Sequence, residues 1–166
     1  MDVKYSKNDF FQFKDVLKFV KSDFFPFYRC KKSYKYSVIL GLGGNVGKVK
    51  QRFDKIFQIL SKDRRFYLAE SSPIVLNKAF GFKAQDDFLN AILFLQTNVH
   101  PKEVLKIMLN LELKFKRKRP FKNAPRTIDL DILYTNTKIK SKRLIVPHPG
   151  VNERASVILP LGLMRL

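Results

Sequence analysis

Cysteine, tryptophan, glycine and acidic residues are all scarce in this sequence, and each shortage narrows what the chain can be. One cysteine, Cys30, in 166 residues cannot close an internal disulfide, and no Cys/His cluster stands near it to suggest a zinc site or a redox pair. Only 7 glycines and 8 prolines exclude the collagenous and low-complexity classes. Long uncharged runs are missing too: the longest, around Phe88–His100, falls short of the roughly 18 apolar residues a membrane-spanning helix needs. Acids number 14 against 33 Lys and Arg, a formal charge of +19 and hence a strong positive field.

What is present is enough for one domain with a sizeable core, since 45% of the residues are hydrophobic. Residues 1–35 stand apart in composition, with seven Phe, nine Lys or Arg, four Asp and no Gly. Asp9, Lys14, Asp15, Lys18, Lys21 and Asp23 break this stretch up, so it lacks the apolar region of a signal peptide and the expected location is cytoplasmic. The spacing of Phe10, Phe11, Phe13, Val16, Leu17, Phe19 and Val20 predicts an amphipathic helix ending before Pro26, in a basic aromatic arm packed on the domain. The domain proper is placed at 36–166.

From Tyr36 the rhythm is regular. Ser37–Leu40 reads as a strand entering a glycine turn at Gly41–Gly47. Val49, Phe53, Ile56, Phe57 and Leu60 have helical spacing, Phe66–Ile74 is extended, and Phe88–Gln96 is a further strand. Pro101 opens a helix whose predicted buried face is Val104, Leu105, Met108, Leu109, Leu111 and Leu113, with His100 as its entry residue. A strand at Thr127–Thr135 completes the order β-α-β-β-α-β, which predicts an α+β, ferredoxin-like antiparallel sheet with helices on one face. A shorter extended piece follows at Arg143–Val146.

The glycine turn is not a Walker A loop: Leu42 stands where its first glycine belongs, and Val49 offers no hydroxyl after Gly47–Lys48. A tight turn near a ligand fits better, with Asn45 either left-handed or bonding to backbone. The informative stretch is Pro125-Arg126-Thr127-Ile128-Asp129-Leu130-Asp131. On a strand, residues two apart share a face, so Asp129 and Asp131 project together while Ile128, Leu130 and Ile132 point into the core. Upstream, Glu112–Arg126 carries seven Lys or Arg and a single acid. Paired carboxylates are the usual protein share of a magnesium site, and Arg117, Arg119 and Arg126 can fork onto phosphate oxygens. The alternative is that the two acids form salt bridges with these cations at the sheet surface; the Pro-Arg step and the basic loop together favour metal.

These residues resemble the 6-hydroxymethyl-7,8-dihydropterin pyrophosphokinase family of folate biosynthesis over about Tyr36–Leu161. The carriers are Leu42-Gly43-Gly44-Asn45, Asp87-Phe88-Leu89-Asn90-Ala91, Leu111-Glu112 with Arg117 and Arg119, Pro125–Asp131, and Val146-Pro147-His148-Pro149 with Glu153-Arg154. The resemblance implies transfer of pyrophosphate from ATP to the hydroxymethyl oxygen of the dihydropterin, leaving AMP. It implies two Mg2+ ions on Asp129 and Asp131, and Arg117 and Arg126 on the transferring group. Glu112, Arg119, Arg143, His148 and Arg154 would line the ATP site, and Phe88, Asn90, Phe80 and Gly44 the pterin site. Independently, a flat heterocycle calls for an aromatic face, and a side-chain amide offers both donor and acceptor to its edge. The chain departs from the family at Ser156, where an aromatic is usual, so that Phe80 or Phe82 would take over; at Lys116, where Gly is usual; and at Asn77-Lys78-Ala79, where Thr and Pro residues are usual.

A basic ferredoxin-like domain can also be an RNA-binding module. Lys78–Phe82 imitates the start of an RNP1 motif, but Lys83 and Gln85 stand where Val and an aromatic belong, and Val38-Ile39-Leu40 carries no stacking ring. The expected partners are therefore small molecules, with neither nucleic acid nor membrane.

Overall fold

The computed structural model describes residues 15–79, 84–118, 121 and 124–166. Its elements in chain order are β1 (Val16–Val20), β2 (Phe27–Tyr28), β3 (Tyr36–Gly44), α1 (Val49–Lys62), β4 (Phe66–Ser71), β5 (Ile74–Asn77), β6 (Phe88–Thr97), α2 (Pro101–Lys114), β7 (Asp129–Thr135), β8 (Ile139–Lys140), β9 (Ile145–Val146) and α3 (Ala155–Gly162). Among the described residues β1 to β7 form one sheet, with β3 between β6 and β7, β6 also pairing β4 and β5, β1 on β5 and β2 on β4. All these pairings are antiparallel. The chain is thus α+β.

Period-two burial builds the sheet's main core. Leu40 and Leu42 of β3, Leu93 and Leu95 of β6, and Leu130 and Ile132 of β7 turn to one face and meet Phe53, Ile56 and Leu60 of α1 and Val104, Met108 and Leu111 of α2. His100 caps α2 by accepting from the Lys102 N–H at 3.2 Å, and Pro101 occupies the first turn, where a missing N–H costs nothing. The opposite face has its own smaller core, in which Ile92 and Leu133 meet Val151, Val157, Leu161 and Met164 around α3.

Several expectations are corrected. The predicted helix over Phe10–Val20 is strand where it is described: Val16–Val20 is β1, and residues 1–14 lie outside the described residues. The open edge of β5 offers unpaired N–H and C=O groups, and pairing with it outweighs an apolar spacing that a β-rich Val/Phe segment also satisfies. Strand β3 continues through Gly44 instead of turning at Gly41, because β6 and β7 pair with it on both sides as far as Gly43. Helices lie on both faces rather than one, since α3 takes the face opposite α1 and α2. On α2 the expected Val104, Met108 and Leu111 are buried, but Leu109 and Leu113 are exposed, and 3.6-residue geometry buries Glu112 beside the core face. The extended piece at Phe66–Ile74 is two strands, interrupted after Ser71.

Residues 15–35 are tied to this fold. Phe25 is fully buried in the main core, Phe24 stacks on Phe57 of α1 at 4.8 Å between ring centroids, and the Ser22 hydroxyl donates to Asp54 of α1 at 2.6 Å. Among the described residues, no helix is long and apolar enough to cross a membrane.

Candidate active site

The site forms where the ends of β3, β6 and β7 meet the segment leaving α2. Asp129 and Asp131 stand on β7 opposite Gly43 and Gly41 of β3, with Ile128, Leu130 and Ile132 buried on the other side as the alternation predicts. Next along the same row, Gly43 also faces Asn90 of β6. The fit is close there: a Cβ on Gly43 would stand 3.0 Å from the Asn90 side-chain oxygen, which would have to give way by a few tenths of an ångström. On Gly44 it would stand 2.9 Å from the Thr127 carbonyl, so this part of β3 stays bare while the loop before β7 closes against it.

Two arginines converge on Asp129. Arg126 Nη1 donates to Oδ2 at 2.6 Å, and Arg117 Nη1 lies 2.5 Å from Oδ1. Arg117 also pairs with Glu112, whose Oε1 accepts the Leu130 N–H at 2.8 Å, so one buried glutamate orients an arginine and pins the backbone between the two aspartates. Burial pushes the Glu112 carboxyl above the usual carboxylate range, and the charge of Asp129 adds to this, against the bonds from Leu130 and Arg117. The salt-bridge alternative is therefore realised for Asp129 in part, but inside the cluster and not at the surface: Arg117 is only 6% exposed.

The close of α2 explains how Arg117 arrives there. Lys116 adopts a left-handed φ of 56°, its N–H bonds to Leu113 O at 2.9 Å, and the Arg117 N–H bonds to Glu112 O at 3.1 Å. This is a Schellman ending, which turns the chain back over its last helical turn. It carries Lys where glycine is the natural occupant.

On the neighbouring side the Arg126 guanidinium lies 5.2 Å from the Phe88 ring centroid, a cation over an aromatic face. Asn45, 6% exposed, fastens the loops: its Oδ1 accepts the Arg126 N–H at 2.9 Å, and its Nδ2 donates to Gln85 and to the Asp86 carbonyl. Of the two alternatives for Asn45, bonding to backbone is the one adopted. Arg52 of α1 adds a donor to the Thr127 carbonyl and another to Val46 O at 3.1 Å. Its role was not legible in the sequence, where an arginine on an exposed helix face has no signature.

The structure brings together Gly44, Phe88, Asn90, Glu112, Arg117, Arg126, Asp129 and Asp131. His148 follows β9, its N–H bonding to Leu133 O at 2.8 Å, which sets it beside β7 beyond the aspartates. Arg143 and Arg154 are exposed, and among the described residues no bond ties their side chains to the cluster. Phe80 and Arg119 lie outside the described residues.

An α+β sheet thus ends in two carboxylates on one strand face, one of them flanked by two arginines, with an aromatic ring and a carboxamide alongside. The chain belongs to the 7,8-dihydro-6-hydroxymethylpterin-pyrophosphokinase family, whose sequence profile matches residues 39–165. It is 52% identical to a 2-amino-4-hydroxy-6-hydroxymethyldihydropteridine pyrophosphokinase of Campylobacter jejuni over 90% of this chain and 96% of that protein. It is 34% identical to the enzyme of the same name from Helicobacter pylori over 87% of this chain and 91% of the other. With the Aquifex aeolicus enzyme the identity is 39% over 75% and 78%. A coverage of 90% is more than residues 36–166 supply, so the Campylobacter match takes in part of the N-terminal segment.

Proposed function

We propose that this chain transfers the terminal pyrophosphoryl group of ATP to 6-hydroxymethyl-7,8-dihydropterin, giving the pterin diphosphate and AMP in folate biosynthesis. The observation that carries the reading is the Asp129/Asp131 pair with Arg117 and Arg126 gathered on it, in a chain of this family. The pterin hydroxymethyl oxygen attacks the β-phosphorus, the bond from that phosphorus to the α,β-bridging oxygen breaks, AMP leaves and the hydroxyl proton is released.

Asp129 and Asp131 fit a magnesium site: they share a strand face, they lie opposite two glycines, and one or two carboxylates are what this cation usually takes from a protein. Two ions are expected, and when bound they would neutralise ATP phosphate charge and align the attacking and leaving oxygens. Arg117 and Arg126, which now balance Asp129, would turn their forks to phosphate oxygens, an exchange of one anion for another. Glu112 keeps Arg117 in place. Arg119, Arg143, His148 and Arg154 take the ATP side. Phe88 gives the pterin a stacking face, Asn90 reads its edge and Gly44 leaves it room; Phe80, outside the described residues, is assigned to the pterin by the family resemblance alone. The strand order β4-β6-β3-β7 with alternating directions supports a ferredoxin-like core, and the nucleotide substrate supports a cytoplasmic location. The family match leaves the RNA-binding alternative without support, and its Lys78–Lys83 motif falls mostly outside the described residues.

The test is conversion of ATP and the hydroxymethyl-dihydropterin to AMP by the purified chain. Turnover should need magnesium and should fall on the order of 10³-fold in Asp131→Ala while the circular dichroism stays unchanged. Turnover that survives chelation of divalent cations would overturn the metal assignment.

A further inference from the structure

We infer that Asn77 is a positioning residue that decides which end of the Asn90 carboxamide meets the flat ligand. This rests on the pterin reading of the site and adds a determinant of its specificity. Asn77 closes β5, where its register partner on β6 is Phe88, while Asn90 is opposite Val75; the two asparagines are diagonal neighbours on one face.

A carboxamide has a donor end and an acceptor end, and an isolated Asn90 can present either. Here the choice is made by a relay that starts at a group with no choice. The Lys78 carbonyl can only accept, and it takes the Asn77 Nδ2 donor at 2.9 Å. Asn77 Oδ1 is thereby left facing Asn90, and an oxygen there calls for the amino end: Asn90 Nδ2 donates to it. Asn90 Oδ1 consequently turns the other way, toward Gly43, in space that the absent Cβ leaves open. The second hydrogen of Nδ2 stays available. The ligand edge accepted by Asn90 must then carry a donor toward the β3 side and an acceptor toward the β5 side, and a heterocycle with the reversed pattern leaves polar groups unpaired.

The experiment compares the whole chain with Asn77→Ala and Asn77→Asp in steady-state turnover and in NMR of the Asn90 side-chain amide. Asn77→Ala should raise the KM for the pterin about 10-fold, as expected for loss of one oriented hydrogen bond, with the KM for ATP and kcat little changed. Asn77→Asp keeps an acceptor facing Asn90 and should restore the pterin KM to within about 3-fold of the parent. The Asn90 amide resonances should move in Asn77→Ala and return in Asn77→Asp. An unchanged pterin KM in Asn77→Ala, equal losses in both variants, or a loss confined to ATP would overturn the inference. If the parent itself turns over no pterin, the proposed function fails; unmoved Asn90 resonances in Asn77→Ala separately overturn the relay. Should Asn77→Ala not fold, Asn77→Ser, whose hydroxyl is too short to reach Asn90, carries the same expectations.

Discussion

At Asp129 each carboxylate oxygen has a guanidinium beside it, and Glu112 stands behind one of the two arginines. Such a buried network is stable only while its charges balance, and removal of one member leaves the others uncompensated. Asp131 is half-buried opposite Gly41. On the magnesium reading proposed above, Asp131→Ala should lower turnover on the order of 10³-fold while the chain still folds cooperatively; a steady-state assay with thermal denaturation checks both. Glu112 gives a pH prediction. Its carboxyl is raised, so between the ordinary glutamate value of about 4.3 and its folded value the native state holds a proton that the unfolded chain has shed. The stability it contributes is full below that window and declines as pH rises through it. Chemical denaturation from about pH 4 upward should show this decline, and Glu112→Gln should flatten it.

Two elements explain how such residues come to lie together. The ending of α2 swings Arg117 back over Glu112 through a left-handed Lys116, a conformation that costs a residue with a Cβ about 1 kcal/mol or more. Lys116→Gly should accordingly stabilise the protein by about 0.5–1 kcal/mol, read from the denaturant midpoint, with the Glu112–Arg117 pair kept. The segment before β3 is the second. Phe25 is fully buried against Phe53 and Phe57, so Phe25→Ala should destabilise the whole domain by about 3–5 kcal/mol. If unfolding were unchanged, residues 15–35 would be a separable arm, as their composition suggests, and not a layer of the core.

Across the whole molecule the net charge of +19 acts at a distance that no pair contact reaches. It favours encounter with polyanions, and that advantage is screened by salt. Raising ionic strength from about 0.05 M to about 0.5 M should raise the KM for ATP several-fold while leaving the KM of the uncharged pterin nearly constant. Parallel changes in both would argue that salt acts on the fold instead of on capture.

The sequence by itself determined the two helices and the outline of the strands in residues 36–135, though neither the run of β3 through Gly44 nor the division into β4 and β5, and it determined the acid pair, because a two-residue period and a 3.6-residue period are local properties of the chain. It also determined that Asp129 and Asp131 share a face, and it marked Phe88, Asn90, Glu112, Arg117 and Arg126 through the family resemblance. It could not decide β1, whose spacing suits a helix as well as a strand, until the open edge of β5 was there to pair with it. Nor could it show Asn45 and Arg52 as fasteners, Asn77 as the orienter of Asn90, or α3 on the second face. Each of these depends on partners remote in sequence or on a register set by neighbouring strands. Only the assembled sheet fixes those distances, because a hydrogen bond between side chains is a property of two positions in space and leaves no period along the chain.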